Sequence, residues 1–380
     1  MNDWKEVSLS DLATYINGRV IKNEELNSTK GIPIIRIKQM NDPEMIEDFF
    51  CGKDLDEKNI ARKGDLLFSW SATLKTILWQ GPKGAINQHI FKVIPKEGID
   101  KSMLHYLIDH YIPFLTEESH GSTMKHIKKS ALSAFRLKIP PLPEQKSIAK
   151  ILTFLDKLIS KLEKQKSTQK NIFTALISDF FLSKDSTISN VKIGEICKVK
   201  RGASPRPIQS TLWWGKGRGW TRITDVTKSH KYLLKTKDHL SPEGELKSVP
   251  IDPDDLILSI CATIGLPIIV KTPICIHDGF VWFEGLKNSL EIEYAYYFFS
   301  AIRNQLLQGS QTGTQGNLNT SIVSNIEIPL RSFEEQERIS SILSSLDNKI
   351  SITSNKIDKY KNLKRSLLNN LLSGRKRVKF

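Results

Sequence analysis

Residues suited to gripping a polyanion gather in short clusters along this chain. The densest is Trp213-Trp214-Gly215-Lys216-Gly217-Arg218-Gly219-Trp220, which interleaves cations, aromatics and glycines. Glycines let a backbone approach a phosphate closely, while Lys216 and Arg218 supply charge. Trp213 and Trp214 fit core packing better than a surface role, and a solvated loop is the competing account of Lys216 and Arg218. Arg36, Lys38, Gln39 and Asn41 lie just past a strand-like run, and Arg222, Thr224 and Asp225 follow the Trp-rich cluster. Arginine binds guanine with two hydrogen bonds, and Asn or Gln does the same with adenine. Arg36 and Arg222 fit structural ion pairs as well as base contacts. Ser69, Trp70 and Lys75, then Gln88 and His89, then Ser122 and Lys125, and finally Thr314, Gln315 and Asn317 are further polar candidates for DNA contact near predicted element ends. The loop Gly121-Ser122-Thr123 suits a phosphate cradle and an ordinary turn equally. The end Gly374-Arg375-Lys376-Arg377-Val378-Lys379 reads as a frayed, solvated tail.

Catalytic chemistry is not legible. No phosphate loop, HExxH, GxSxG or paired CxxC occurs, and there is no Asn-Pro-Pro-aromatic or Asp-Pro-Pro-aromatic motif of amino-methyltransferases. A nuclease-like string can be assembled from Pro43-Glu44 and Asp56-Glu57-Lys58, but such loose patterns arise by chance. No catalytic or metal site is expected. Lys plus Arg number 56 against 41 Asp plus Glu, a net charge of +15, which suits nucleic acid or an anionic membrane surface. The longest apolar stretch, Leu256 to Val270, is 15 residues and is interrupted by Ser259, Thr263, Gly265 and Pro267. It is too short to span a bilayer, so duplex DNA is the favoured partner over a membrane. The polar start Met1-Asn2-Asp3-Trp4-Lys5 is no signal peptide. Cys51, Cys197, Cys261 and Cys275 lack metal-site spacing and read as reduced core residues of a cytoplasmic, prokaryotic protein.

The elements that must hold these clusters come in two copies. At 380 residues the chain suits two to four domains. Val7-x-Leu9-x-x-Leu12 answers Val191-x-Ile193-x-x-Ile196, and Asn17-Gly18 answers Arg201-Gly202. Arg36-Ile37 answers Arg222-Ile223, Gly64-Asp65-Leu66 answers Asp254-Asp255-Leu256, and Ala72-Thr73-Leu74 answers Ala262-Thr263-Ile264. Gln88-His89-Ile90 stands opposite Asp278-Gly279-Phe280, and Gly121-Ser122-Thr123 opposite Gly313-Thr314-Gln315. The matches keep their order, so the duplication is real. Ile32 to Ile37 and Asp255 to Ile260 read as strands, and Lys101 to Glu118 and Leu290 to Gln308 as amphipathic helices. Each copy is therefore a mixed α/β module, ended in the first case by Pro140-Pro141-Leu142-Pro143.

A long helix follows each module. Ile148, Leu152, Leu155, Ile159, Leu162, Lys166, Gln169, Phe173, Leu176 and Phe180 alternate steps of four and three. So do Ile339, Leu343, Leu346, Ile350, Thr353, Ile357, Tyr360, Lys364, Leu367 and Leu371. That spacing keeps one seam toward a partner helix, as a coiled coil requires. Each seam covers roughly 50 Å at about 1.5 Å per residue. Antiparallel pairing is expected, with Ile148 near Leu371, Phe180 near Ile339 and Lys166 near Thr353. The alternative is that each helix packs on its own module alone.

The order module, helix, module, helix, with Ile139-Pro140-Pro141-Leu142-Pro143-Glu144-Gln145-x-x-Ile148 and Ile328-Pro329-Leu330…Glu335-Gln336-x-x-Ile339 at the junctions, resembles the specificity subunit of type I restriction–modification systems. The second junction departs from the family's Pro-Pro-x-x-Glu-Gln pattern, with Leu330-Arg331-Ser332-Phe333-Glu334 in a longer spacer. The resemblance implies an α+β chain: target-recognition domains at 1–143 and 185–333, a central spacer helix at 144–184, and a C-terminal spacer helix with basic tail at 334–380. It implies that each domain reads one half of a split site on double-stranded DNA, while the antiparallel coiled coil sets the spacer. Two modification (methyltransferase) subunits would dock on it and methylate adenine N6, and restriction subunits would add the motor and nuclease. No cofactor is expected in this chain; S-adenosylmethionine, and ATP with magnesium, would bind the partners. A methylation-only or related multisubunit system, a stand-alone metal-dependent nuclease, and an RNA-binding or structural adaptor are the competing readings.

Overall fold

A computed structural model describes residues 4–117, 126–183, 188–311 and 318–378. Its contacts divide the chain into two units, Met1–Glu163 with Asn355–Phe380, and Lys164–Ser354. In the first, β-branched runs form a four-stranded sheet in the order Ala13–Asn17, Ile90–Pro95, Leu66–Ser69, Lys75–Leu78. A second sheet runs Leu26–Asn27, Phe49–Phe50, Ile32–Ile35, Gly84–Ile86, Ile60–Ala61, with Ile32–Ile35 and Gly84–Ile86 parallel. The second unit repeats the plan. Lys198–Arg201, Phe280–Glu284, Leu256–Ser259, Pro267–Val270 and Tyr232–Leu233 form one sheet. Asp238–Leu240, Trp214–Thr221, Ile274–Ile276 and Val249–Ile251 form the other, again with its central pair parallel. A two-stranded ribbon closes each module, Lys5–Ser8 with Arg136–Ile139 and Asn190–Lys192 with Glu327–Pro329.

The correspondence reaches individual backbone angles. Gly64 and Asp254 both have positive φ, 89° and 69°, and Ala72 and Ala262 share φ 59°. A left-handed non-glycine residue costs on the order of 1 kcal/mol or more, so its presence at matched positions marks one framework used twice. Gly18 and Gly202 agree likewise: a Cβ would lie 2.1 Å from the Asn87 carbonyl oxygen in one and 2.2 Å from that of His277 in the other.

Several boundaries differ from the sequence reading for local reasons. The strand expected to reach Ile37 stops at Ile35, because the Gln39 side chain accepts the Arg36 N–H (3.1 Å) and turns the chain. The strand expected over Asp255 to Ile260 is Leu256–Ser259, and the module helices are Lys101–Glu117 and Ile292–Gln311. The long helices are Leu142–Phe181 and Phe333–Leu372. The first starts inside the proline run, since Pro143 falls in the first turn, where its missing N–H has no intrahelical acceptor to lose.

A buried glutamine ties each long helix to its module. Gln145 is 2% exposed; its Oε1 accepts the Asp100 N–H (2.9 Å) and its Nε2 donates to the Pro140 (2.9 Å) and Gly98 (3.2 Å) carbonyls. Gln336 is 1% exposed; it accepts the Glu291 N–H (2.8 Å) and donates to the Arg331 carbonyl (2.9 Å). Each amide therefore fixes the residue just ahead of a module helix and the carbonyl just ahead of its own.

Every seam position on both long helices is buried or half-buried. In the first unit Ile148 and Leu152 share a core with Leu104, Leu107 and Leu371, with Leu367 packed against it. In the second, Ile339 and Leu343 share one with Tyr294, Tyr297 and Phe298, with Phe173, Leu176 and Phe180 against it. The two helical stretches run antiparallel within each unit. Asp156 meets Lys364 (2.5 Å) and Glu163 meets Lys361 (2.6 Å) in the first; Lys166 donates to Ser354 (2.8 Å) in the second. Lys166 thus reaches the neighbour of Thr353, which is itself buried and bonds back to the Lys349 carbonyl.

The tail is the correction. Arg377 does not fray: its guanidinium makes a forked pair with the fully buried Glu144 (2.7–3.0 Å) and lies 5.6 Å over the Trp4 ring. Val378 N–H and Trp4 Nε1 donate to the same carboxylate. Burial pushes the Glu144 carboxyl up, but bonds from Arg377, Val378 and Trp4 outweigh it and hold the group below its ordinary 4.5. We expect Arg377→Ala to cost on the order of 2 kcal/mol in urea unfolding, moderated because the arginine is 41% exposed. Because the folded value is depressed, this contribution is complete above about pH 4.5 and is lost as pH falls through the lower folded value. The wild-type advantage over Arg377→Ala should shrink on that side only.

Candidate nucleic-acid interface

In the first unit the chain leaving Ile32–Ile35 forms a polar loop. Arg36 pairs with Asp48 and Lys38 with Glu47, both at the surface. Gln39, expected to face DNA, is 2% exposed and engaged at both ends, accepting from Arg36 N–H and donating to the Met45 carbonyl (2.7 Å). It shapes the loop and has no free edge for a base. Lys75 reaches across to the Asn41 side chain (2.7 Å) and the Met40 carbonyl (3.0 Å). Burial lowers its pKa, against the pull of Asp109.

Strand register carries the cluster onward. Lys75 lies opposite Ser69, and Ser69 opposite Ile90, which follows Gln88 and His89. Ser69 is fully buried and donates to the Ser71 carbonyl (3.2 Å), so it supports the turn and is not offered to solvent. Trp70 is half-buried, with its ring 5.7 Å from His89 and 6.0 Å from His126. Gln88 Nε2 sits 3.2 Å from His89 Nε2. Trp70 Nε1, His89 Nδ1 and His126 Nδ1 are each buried with no hydrogen-bond partner among the described residues. The structure therefore gathers Lys75, Trp70, Gln88 and His89, and adds His126.

In the second unit Lys216 is exposed, with no ion pair among the described residues. Arg218 is held, its Nη1 bonding Asp252 (2.8 Å) and the Ile251 carbonyl (3.0 Å). Arg222 pairs with Asp238 and lies 5.6 Å over Trp214, which meets Trp220 edge-on at 6.2 Å. Trp213 and Trp214 are half-buried, not core; Trp220 is the buried one of the three, at 2%. Asp225 accepts the Arg222 N–H (2.9 Å) and so caps the helix Ile223–Lys228, while Thr224 is exposed. Ser122, Lys125, Thr314, Gln315 and Asn317 lie outside the described residues.

One group was missed. Asp278 accepts from Ser204 (2.7 Å) and Arg206 (3.4 Å), and its own carbonyl accepts Arg201 Nε (2.8 Å). The Ser204 bond holds the Asp278 carboxyl below its ordinary value. His277 beside it stacks near Trp220 and Phe280, and burial lowers its pKa. The available signal was Arg201-Gly202-Ala203-Ser204-Pro205-Arg206, a basic glycine-containing turn that the sequence reading used only to mark the repeat. Asp278 stands where the first copy has Gln88, so a carboxylate replaces an amide on a shared frame.

Among the described residues no group of three or more His, Cys, Asp or Glu is placed to hold a metal ion. In the nuclease-like string Asp56 pairs with Lys58 (2.7 Å) and Glu57 with Arg62 (2.8 Å), all exposed. Among the described residues no helix is long and apolar enough to cross a membrane.

Comparison with known proteins places the two-module framework in a family. The type I restriction modification DNA specificity domain matches residues 1–170 and again 185–362. The MjaVIII specificity subunit of Methanocaldococcus jannaschii is 26% identical, with 99% of this chain and 94% of that protein covered. The EcoBI specificity subunit of Escherichia coli is 22% identical over 97% of this chain and 85% of its own. Among solved structures, the type I S subunit from M. genitalium superposes with a TM-score of 0.65 at 13% identity, covering 98% of this chain and 97% of that one. A chain from a structure describing complex assembly and conformational transition of the type I system gives 0.55 at 16%, covering 98% of each. At these identities the likeness is one of fold.

Arg218 and Lys216 separate structural from free cations. Arg218→Ala should lower stability by about 1 kcal/mol or less, a few degrees in the melting midpoint, since its partner Asp252 is largely exposed. Lys216→Ala should leave the midpoint unchanged.

Proposed function

This chain belongs to the type I restriction–modification DNA specificity family, and we propose from that premise that each of its two modules reads one half of a split site on double-stranded DNA. The observation that carries this is a shared frame bearing unlike polar groups. Matched left-handed alanines and matched glycine turns frame Trp70, Gln88 and His89, with Lys75, in one copy and Asp278, with Arg206 and Arg222, in the other. An amide offers a donor and an acceptor to a base edge, and a carboxylate only acceptors, so the two sets suit different bases. Exposed Lys216 and a net charge of +15 supply attraction to phosphates.

The proposed division is 1–143 and 185–333 for recognition, with helices at 144–184 and 334–380. The number of helical residues joining the modules along the chain sets the unread spacer. The chain itself carries out no chemistry. Two modification subunits supply adenine-N6 methylation with S-adenosylmethionine, and restriction subunits, where present, supply ATP-driven translocation and cleavage with magnesium. The setting is the prokaryotic cytoplasm.

Co-expression with a neighbouring modification subunit and mapping of N6-methyladenine tests the reading: a two-part motif with a fixed gap is expected, and a contiguous motif or no methylation overturns it. A heptad added to both helices at facing positions should lengthen the gap and leave both half-sites unchanged. On the purified complex, Lys216→Ala should reduce the slope of log affinity against log salt by about one phosphate contact. An unaltered slope removes Lys216 from the interface.

A further inference from the structure

The faces of the two long helices that turn away from the seam are not alike. On the first helix Lys146, Lys150, Lys157 and Lys161 are all exposed and fall at successive steps of four, seven and four. These steps place them on one stripe of an α-helix. Phe154 stands beside the stripe and is 64% exposed. Together with Asp100 and Ser102 of the module, these side chains line an open groove of about 380 Å³ that includes Lys146, Lys150, Phe154 and Lys157. None of the four lysines is in an ion pair among the described residues.

The corresponding positions on the second helix carry Glu337, Ser341, Ser345, Asn348 and Ile352, and these too are exposed. Lysine becomes glutamate, serine, asparagine and isoleucine, and the phenylalanine becomes serine. Beside these positions the inward face agrees: Ile148, Leu152, Leu155 and Ile159 match Ile339, Leu343, Leu346 and Ile350, and the buried glutamines match, so over this stretch the copies differ on the outward face. A partner that recognises the first face meets one glutamate and three uncharged residues in place of the four lysines on the second, and serine in place of the phenylalanine.

We propose that the Lys146–Lys161 face is a docking site for one acidic polypeptide segment per chain, a segment bearing an aromatic or aliphatic side chain that covers Phe154. Three lysines around the groove match a run of carboxylates, and an apolar side chain on the segment covers the exposed Phe154 ring, the one strongly apolar element of the stripe. Duplex DNA matches the lysines but presents charged backbone to the ring. The surface does not depend on the proposed base-reading clusters, and it breaks the equivalence of the two halves: whatever docks on both modules alike, this segment docks once.

The test uses the full chain and a fluorescein-labelled peptide of glutamates around a central Phe-Leu pair. One peptide should bind per chain. Lys146→Glu/Lys150→Glu/Lys157→Glu and Phe154→Ser should each weaken binding by about tenfold or more, with circular dichroism unchanged because the residues are exposed. Grafting the face onto the second helix (Glu337→Lys, Ser341→Lys, Ser345→Phe, Asn348→Lys) should raise the stoichiometry to two. Absence of binding, two peptides on the wild-type chain, or full binding by the charge-reversed variant overturns the proposal. So does displacement by a non-specific duplex as effective as by unlabelled peptide, which assigns the face to DNA. Self-association of the wild-type chain in sedimentation that the same substitutions abolish also overturns it, assigning the face to a second copy.

Discussion

Gln145 and Gln336 stand where each module passes into its long helix, and much of the arrangement within each unit follows from their two amides. A primary amide buried at 2% or less must satisfy both ends, because leaving either unpaired costs about 1–3 kcal/mol. Both do so against backbone, one end fixing the start of the module helix and the other fixing the strand exit. The direction in which each long helix leaves its module is thereby set by hydrogen bonds to backbone, three from Gln145 and two from Gln336. The seam residues then meet their partners in register, and the cores around Ile148 and Ile339 close.

The division of labour between backbone and side chain is clear in the polar clusters. Where the two copies agree, the residues are engaged internally: Ser69 and Ser259 both bond the carbonyl of the turn that follows them. Where they disagree, the residues sit at strand ends and in loops, as Gln88 and Asp278 do. Most cations of the polar clusters are partnered, with Arg36, Lys38, Arg218 and Arg222 all in ion pairs. Exposed pairs of this kind are weak, so a phosphate can replace the carboxylate at small cost.

Much of this was legible in the sequence, because periodicity and repetition are local or self-referential. The seam from Ile148 to Phe180 needs only its own spacing, and the duplication needs only the chain compared with itself. The failures involve contacts that periodicity does not report, most of them with a partner far away along the chain. Arg377 sits in a run of cations that looks solvated until Glu144, 233 residues earlier, is brought beneath it. Gln39 has the composition of a base-reading residue, and only the fold of its own loop, returning the Met45 carbonyl to it, shows that its edge is occupied. The Asp278 group draws on Ser204 and Arg206, more than 70 residues away.

The left-handed alanines at 72 and 262 have a consequence for how such chains change over time. A fixed kink flanked by a buried serine makes the residues beyond it an insert between rigid posts. Both halves carry the same kink, yet the turn between the flanking strands runs over residues 70–74 in the first and 260–266 in the second, so the frame accepts turns of different length. Substitutions can then collect in the turn while the strands on either side keep their geometry.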